Sequence, residues 1–458
     1  MKKKAVSLLL VAAMAAGMLA GCGNGKSSVS QNGSDGSKDS NEKVEMADAK
    51  DVDGTTITFW HSMGGVNGQA IDALVKKFND ENKYGIKLES QYQGEYDDSL
   101  NKLKSAQIGN MGADLVQVYE VGTRFMIESG WTVPMQKMID ADKYDVSQIE
   151  PNLSAYYTID DKLYSMPFNS STPIMYYNKD MFDKAGITDV PNSLEGIDKI
   201  GEQLMSKGGA SEVMSLGIYG WFFEELIGKQ GLNGNGRDKT ATAVEFDKNG
   251  AAKNILTEWQ KLNKDGYAPI VGKGGDAGLA DFSAGKSAIT LGSTASLKQI
   301  LQDVNGKFNV GTAYFPKVKE SDKGGVSIGG ASLWALDNKD PKKLRATWEF
   351  VKFLISPESQ AYWNAQTGYF PVTTKSQDEQ TFKDNIAQYP QFQTAIDQLH
   401  DSSPKYCGAL LSVFPEARAT VESEIESMLN GKEDVDTAVQ KMSDTINKSI
   451  KDYNTVNN

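Results

Sequence analysis

Few side chains in this 458-residue chain can carry covalent or metal chemistry. It has two histidines, His61 and His400, and two cysteines, Cys22 and Cys407. No Cys/His spacing closes a zinc site, and no G-x-S-x-G turn presents a nucleophilic serine. Gly285-Lys286-Ser287 imitates the end of a phosphate loop. Ala280 stands where the first glycine belongs, and the run leads into a strand, so it reads as a turn with Phe282 packing inward. Asp51-Val52-Asp53-Gly54 starts like a calcium loop, but Phe59, Trp60 and His61 occupy the places where the last carboxylate is needed. Glu95 and Glu120 could act as the carboxylate pair of a glycosidase; among 60 acidic residues such a pair is expected by chance. No catalytic residue, metal or cofactor is assigned, and the chain is read as a non-enzyme.

Hydrogen-bonding groups are concentrated instead. Residues 167–180 read PFNSSTPIMYYNKD, with Asn169, Ser170, Ser171 and Thr172 between Pro167 and Pro173. Turn chemistry explains Asn and Ser beside Pro. It does not explain several hydroxyls ahead of a buried strand, and a wall for a ligand is the functional reading. His61, after a strand over 55–60, is either a ligand contact at a strand end or a residue behind the wall that hydrogen-bonds a loop.

Strand–helix alternation must position these groups. Ile71, Leu74, Val75 and Phe78 recur at helical spacing, followed by strands over 86–89 and 114–119. This pattern predicts a βαβ lobe with a parallel sheet. Further strands are predicted over 174–177 and 288–291, and helices over 254–262, 341–355 and most of 416–453. About 400 residues exceed one typical core, so two lobes are expected.

The N-terminus addresses location. Lys2, Lys3 and Lys4 precede an apolar run over 5–19 that is short for a membrane span. It ends in Leu19-Ala20-Gly21-Cys22, which resembles a bacterial lipobox, with residues 1–21 as signal peptide and Cys22 as the lipidated residue. Residues 22–53 are then a flexible tether rich in Ser, Gly, Asn and Asp. The formal net charge of −12, three units more negative without the signal, argues against nucleic-acid binding.

Five runs occur in order: Phe59-Trp60-His61-Ser62-Met63, Gln117-Val118-Tyr119-Glu120-Val121-Gly122-Thr123, 167–180, Ile328-Gly329-Gly330-Ala331-Ser332-Leu333-Trp334 and Thr367-Gly368-Tyr369-Phe370-Pro371. Together they resemble the extracellular solute-binding family of bacterial ABC importers, and most strongly its sn-glycerol-3-phosphate-binding branch. The resemblance implies an α/β, two-lobed fold of the maltose-binding-protein type, with a hinge and an interlobe cleft, over 54–458. The lobes are placed at 54–168 with 286–338, and at 169–285 with 339–458.

The resemblance also implies ligand contacts. They are Tyr96 after Gly94, Glu120 of the Tyr-Glu-Val-Gly run, Ser171 of the hydroxyl cluster and Ser293 ahead of Ser296-Leu297. Gly330, Tyr369 of Thr-Gly-Tyr, Trp221, and Arg418 after Pro415 complete the set. Glu120 suits the glycerol hydroxyls, while Ser171, Ser293 and Tyr369 donate to phosphate. Arg418 is the main phosphate anchor because its planar fork fits phosphate bidentately.

One position departs from the family. Ile218, in Gly217-Ile218-Tyr219-Gly220-Trp221, replaces a tryptophan. Either the cleft is wider and admits a glycerophosphodiester such as glycerophosphocholine, or Tyr219 restores the wall. The expected protein is a monomeric, lipid-anchored, extracytoplasmic binder that delivers glycerol phosphates to importer permease subunits. An oligosaccharide-binding relative is the alternative, followed by an exported enzyme cleaving the same ligands.

Overall fold

In the computed structural model, residues 44–109, 112–232, 243–406 and 408–457 are described. The signal peptide, Cys22, most of the tether and Cys407 lie outside them.

Two sheets organise the chain. In the first, Thr56–His61 runs parallel to Lys87–Tyr92 on one side and to Leu115–Tyr119 on the other. Gly329–Leu336 then pairs antiparallel with Leu115–Tyr119, Thr132–Val133 and Met166–Ser171. In the second, Glu212–Ile218 lies parallel to Ile270–Lys273 and Ser287–Ser293. Pro173–Asn178 is antiparallel to Ser287–Ser293 and to Val310–Tyr314.

Helices cover both sheets with the faces their spacing dictates. Gly65–Glu81 buries Ile71, Leu74, Val75 and Phe78, the stripe read from the sequence. Pro341–Leu354 starts with Pro at its first turn and is capped by Asp340, whose carboxylate accepts from the amides of Lys342 and Lys343. Its buried face carries Leu344, Trp348, Val351 and Leu354, and Phe350 packs on Phe59 of the first sheet and on Phe78 of the helix Gly65–Glu81. Gly220–Lys229, Ala251–Lys264, Phe414–Leu429 and Val435–Asn457 pack together beside the second sheet.

The lobe limits differ from those expected. Ser287–Ser293 and Val310–Tyr314 belong to the second sheet, while Pro341–Leu354 and Pro357–Thr367 pack with the first lobe. Strand periodicity says which side chains are buried but not which strand is the neighbour. The chain therefore passes between lobes at Thr172, again between Tyr314 and Gly329, and a third time through the segment containing Gln391–Asp401. Gln398, on that last helix, accepts from the Phe315 amide at 2.6 Å and donates to Thr172 Oγ1 at 3.1 Å and the Pro173 carbonyl at 2.8 Å.

The tether is also shorter than expected. Val44, Met46 and Ala47 pack against the first lobe, Val52 is fully buried, and Arg345 Nε donates to the Ala47 carbonyl at 2.7 Å. A few apolar residues within a polar stretch suffice to dock it.

Asp142 joins two helices of this lobe. It accepts from Arg345 Nη1 at 2.7 Å, Trp348 Nε1 at 2.9 Å and Lys352 Nζ at 2.7 Å. Burial opposes its charge, but these donors outweigh it and lower its pKa from 3.8 to about 2. A carboxyl depressed in the folded state stabilises above its unfolded pKa and loses that contribution as pH falls through the folded one. Asp142→Asn should cost about 2 kcal/mol at neutral pH. In urea unfolding, its deficit against wild type should shrink between pH 4 and pH 2.

Candidate functional site

A cavity of about 650 Å³ opens between the two sheets. Its first-lobe wall is built at strand ends and turns. Tyr96 begins the helix Tyr96–Ile108, Glu120 follows strand Leu115–Tyr119, Ser171 ends strand Met166–Ser171 and Gly330 lies in Gly329–Leu336. Tyr369, in the turn after Pro357–Thr367, completes it. The second lobe contributes Tyr219, Trp221 and Ser293. Seven of the eight assigned ligand contacts thus line one cavity, although they span positions 96 to 369.

Local geometry explains several residue types. Gly330 has φ +90°, and a Cβ there would sit 2.0 Å from the Asn169 carbonyl, so only glycine fits. Trp221 reaches across from the second lobe to lie on Gly329, where a Cβ would be 2.4 Å from its Cζ2. Ser293 Oγ accepts from the Ala295 amide at 3.1 Å and keeps its own proton to donate. The Tyr96 ring stacks on that of Tyr119 at 5.1 Å. Two buried donors on the walls, Ser62 Oγ and Trp221 Nε1, have no hydrogen-bond partner among the described residues.

Arg418 departs from its expected place, since it does not line the cavity. Its Nε and Nη2 donate to the two oxygens of Glu224, each at 2.8 Å, and Nη2 also meets Glu120 Oε1 at 2.9 Å. Its stem lies on Gly220, where a Cβ would be 2.8 Å from Arg418 Cγ. Burial pushes the Glu120 carboxyl up, against the pull of Arg418. Burial also works against the Arg418 charge, but Glu224 and Glu120 more than compensate and its pKa rises. Two carboxylates, the buried Glu120 and the partly exposed Glu224, claim the fork that a ligand phosphate was expected to take.

Two lower-ranked candidates also stay behind the walls. His61 is buried, and its Nδ1 accepts from the Met63 amide at 3.3 Å, which makes it a loop support. Burial lowers its pKa, against the influence of Asp72. Ile218 is buried in the second core, and Tyr219 occupies the wall, with its ring 5.9 Å from the Arg418 guanidinium carbon. Ile218 therefore does not widen the cleft. Of the four polar residues after Phe168, only Ser171 reaches the cavity; Thr172 binds Gln398 and Asn169 turns inward.

Sequence reasoning missed Tyr119, Ser62, Gln299 and Asp276, all on the walls. Asp276 sits in a glycine-rich turn after strand Ile270–Lys273 and accepts from Ser296 Oγ at 3.3 Å. The run Gly272-Lys273-Gly274-Gly275 was its available signal, since glycines cluster where backbone approaches a partner closely. Among the described residues the walls carry the carboxylates of Glu95, Glu120 and Asp276 and no lysine or arginine.

Two α/β lobes enclosing a polar and aromatic cleft, joined by three passages, are the architecture of a ligand-capturing protein. A family model described as bacterial extracellular solute-binding protein matches residues 73–394, and the chain belongs to that family. It is 34% identical over 409 residues to the sn-glycerol-3-phosphate-binding periplasmic protein UgpB of Escherichia coli (strain K12), covering 84% of this chain and 91% of that one. UgpB of Shigella dysenteriae serotype 1 is likewise 34% identical, over 412 residues, covering 84% and 91% of the two chains. In structure it resembles UgpB from Mycobacterium tuberculosis in complex with glycerophosphocholine, with TM-score 0.76, 22% identity and coverage of 87% and 99%. It also resembles the cyclic alpha-maltosyl-1,6-maltose binding protein of Arthrobacter globiformis, with TM-score 0.71, 21% identity and the same coverage. These likenesses bear out the two-lobed fold. No helix among the described residues is long and apolar enough to cross a membrane.

The position of Arg418 makes it part of the structure before any ligand arrives. Arg418→Ala would leave the buried Glu120 carboxylate uncompensated, together with the partly exposed Glu224, and ligand-free protein should lose on the order of 3–5 kcal/mol in urea unfolding. Unchanged ligand-free stability together with lost binding would instead mark a free anchor.

Proposed function

We propose that this protein captures a glycerophosphodiester, or sn-glycerol 3-phosphate, outside the cytoplasmic membrane and delivers it to the permease subunits of an ABC importer. The observation that carries this reading is the convergence of Tyr96, Glu120, Ser171, Trp221, Ser293, Gly330 and Tyr369 on one cavity. Identity to a protein named for sn-glycerol 3-phosphate supports the same ligand class. The role is binding, not catalysis.

The charge balance of the cleft favours the diester. A phosphate monoester is close to a dianion, and its approach to walls bearing Glu95, Glu120 and Asp276 without a facing cation is unfavourable. A zwitterion such as glycerophosphocholine brings one negative and one positive charge. Its phosphate can take donors from Ser171, Ser293, Trp221 and Tyr369, and its glycerol hydroxyls can donate to Glu120. Its ammonium suits Asp276 beside the Tyr219 ring: a Cβ on neighbouring Gly275 would lie 3.1 Å from Tyr219 Cδ1. The same mixture of aromatic rings and carboxylates also suits an oligosaccharide, which is the second reading.

Calorimetry separates them. Glycerophosphocholine should bind more tightly than glycerol 3-phosphate, and maltotriose weakly or not at all; binding of maltotriose alone would overturn the proposal. Asp276→Asn should weaken glycerophosphocholine binding by ~1 kcal/mol, roughly fivefold, and leave or improve that of glycerol 3-phosphate.

We also infer anchoring through a lipid on Cys22, from Leu19-Ala20-Gly21-Cys22. Cys22→Ala should leave the protein unprocessed or released from membranes on fractionation, and unchanged partitioning would exclude the anchor.

A further inference from the structure

The motifs around Gln117 and Asn169 contain two amides that reach neither the cavity nor the surface. Both are fully buried, in Gln117-Val118-Tyr119-Glu120 and Asn169-Ser170-Ser171, and they join in one chain of hydrogen bonds. Gln117 Oε1 accepts from the Ser62 amide at 2.8 Å. Gln117 Nε2 donates to Asn169 Oδ1 at 2.7 Å, and Asn169 Nδ2 donates to Tyr96 Oη at 2.8 Å. The Tyr96 ring lines the cavity, as does that of Tyr369.

The direction of this chain is fixed at its origin. A backbone N–H can only donate, so Gln117 must turn its oxygen to Ser62 and its NH2 to Asn169. Asn169 must then turn its oxygen to Gln117 and its NH2 to Tyr96. Tyr96 Oη receives a proton from the interior and cannot send its own proton back. That proton is therefore left for the cavity that the Tyr96 ring lines.

We infer that Gln117 and Asn169 are positioning residues that set the proton polarity of the Tyr96 hydroxyl, so that this wall meets its ligand as a hydrogen-bond donor. The partner it selects is an oxygen with lone pairs and no proton of its own, such as a phosphodiester oxygen. A ligand hydroxyl is better served by Glu120, an acceptor on the same lobe. The choice of phosphodiester rests on the function proposed above; the polarity of the hydroxyl does not.

Gln117→Glu tests the polarity with little change in shape. As a carboxylate it only accepts, so Asn169 must reverse and present its oxygen to Tyr96. Tyr96 then donates inward, and its O–H no longer remains for the ligand. As a neutral acid it accepts from Ser62 and donates to Asn169, which restores the original direction. Burial raises the pKa of such a carboxyl and brings the change toward neutral pH.

Glycerophosphocholine affinity is measured by calorimetry from pH 5 to pH 9. Relative to wild type at each pH, Gln117→Glu should bind equally at the acid end and lose about tenfold or more at the alkaline end, the scale of a hydrogen bond to a charged group. Tyr96→Phe should cost about as much in wild type, yet add nothing to Gln117→Glu at the alkaline end. A merely structural defect would not be repaired by acid. If Gln117→Glu parallels wild type at every pH, or if Tyr96→Phe costs the same in both backgrounds, the assignment is wrong. Should wild type bind only maltotriose, the proposed function fails, and the same pH comparison with maltotriose still decides the polarity.

Discussion

A guanidinium shut away from water between two carboxylates ties the two lobes together beneath the cleft. Glu120 comes from the first lobe, while Arg418 and Glu224 come from helices of the second. Burying Arg418 and Glu120 is costly, and the arrangement holds because both oxygens of Glu224 and one of Glu120 are satisfied by the same planar fork. Neighbouring choices follow from it. Position 220 must be glycine to let the arginine stem pass, and Tyr219 turns its ring toward the guanidinium and so becomes a wall of the cavity. Glu120 keeps one oxygen that the arginine does not take, and that oxygen is available to a ligand hydroxyl.

The cleft therefore works with donors rather than with a bare positive charge. Ser293 spends a lone pair on the Ala295 amide and retains its proton. Tyr96 is fed from Asn169, and the indole N–H of Trp221 is unclaimed by any described residue. Neutral donors lining the cavity stabilise a single negative charge well. They discriminate against a second one, because no cation among the described wall residues offsets it.

Much of this was legible in the sequence, and the failures share a cause. Helical spacing located Gly65–Glu81 and Pro341–Leu354 with their buried faces, and the strand-like runs at 114–119 and 174–177 became strands. The ordered motifs led to seven wall residues. Three things went astray: the lobe membership of Ser287–Ser293, the place of Arg418, and the wider cleft read from Ile218. Each depends on which distant residue becomes the neighbour. Arg418 was read as free because nothing near it in sequence reveals Glu224, 194 residues away, as its bidentate partner. Along strand Glu212–Ile218 alternation would predict that Ile218 and Tyr219 face opposite ways, but not which one faces the ligand.

Gln398 makes a single side chain the meeting point of all three interlobe passages, holding Thr172 and Pro173 on one and Phe315 on another from the helix that forms the third. Any rotation of the lobes must turn about a line close to it. Ser171, next to Thr172, lies near that pivot and keeps its distance to either lobe, whereas the exposed side chains of Tyr92 and Gln299 at the rim sweep the wider arc. Contacts made deep in the cleft thus supply affinity in every posture. Contacts made at the rim exert the longer lever, and they decide how much of a ligand's binding energy is converted into torque on the lobes.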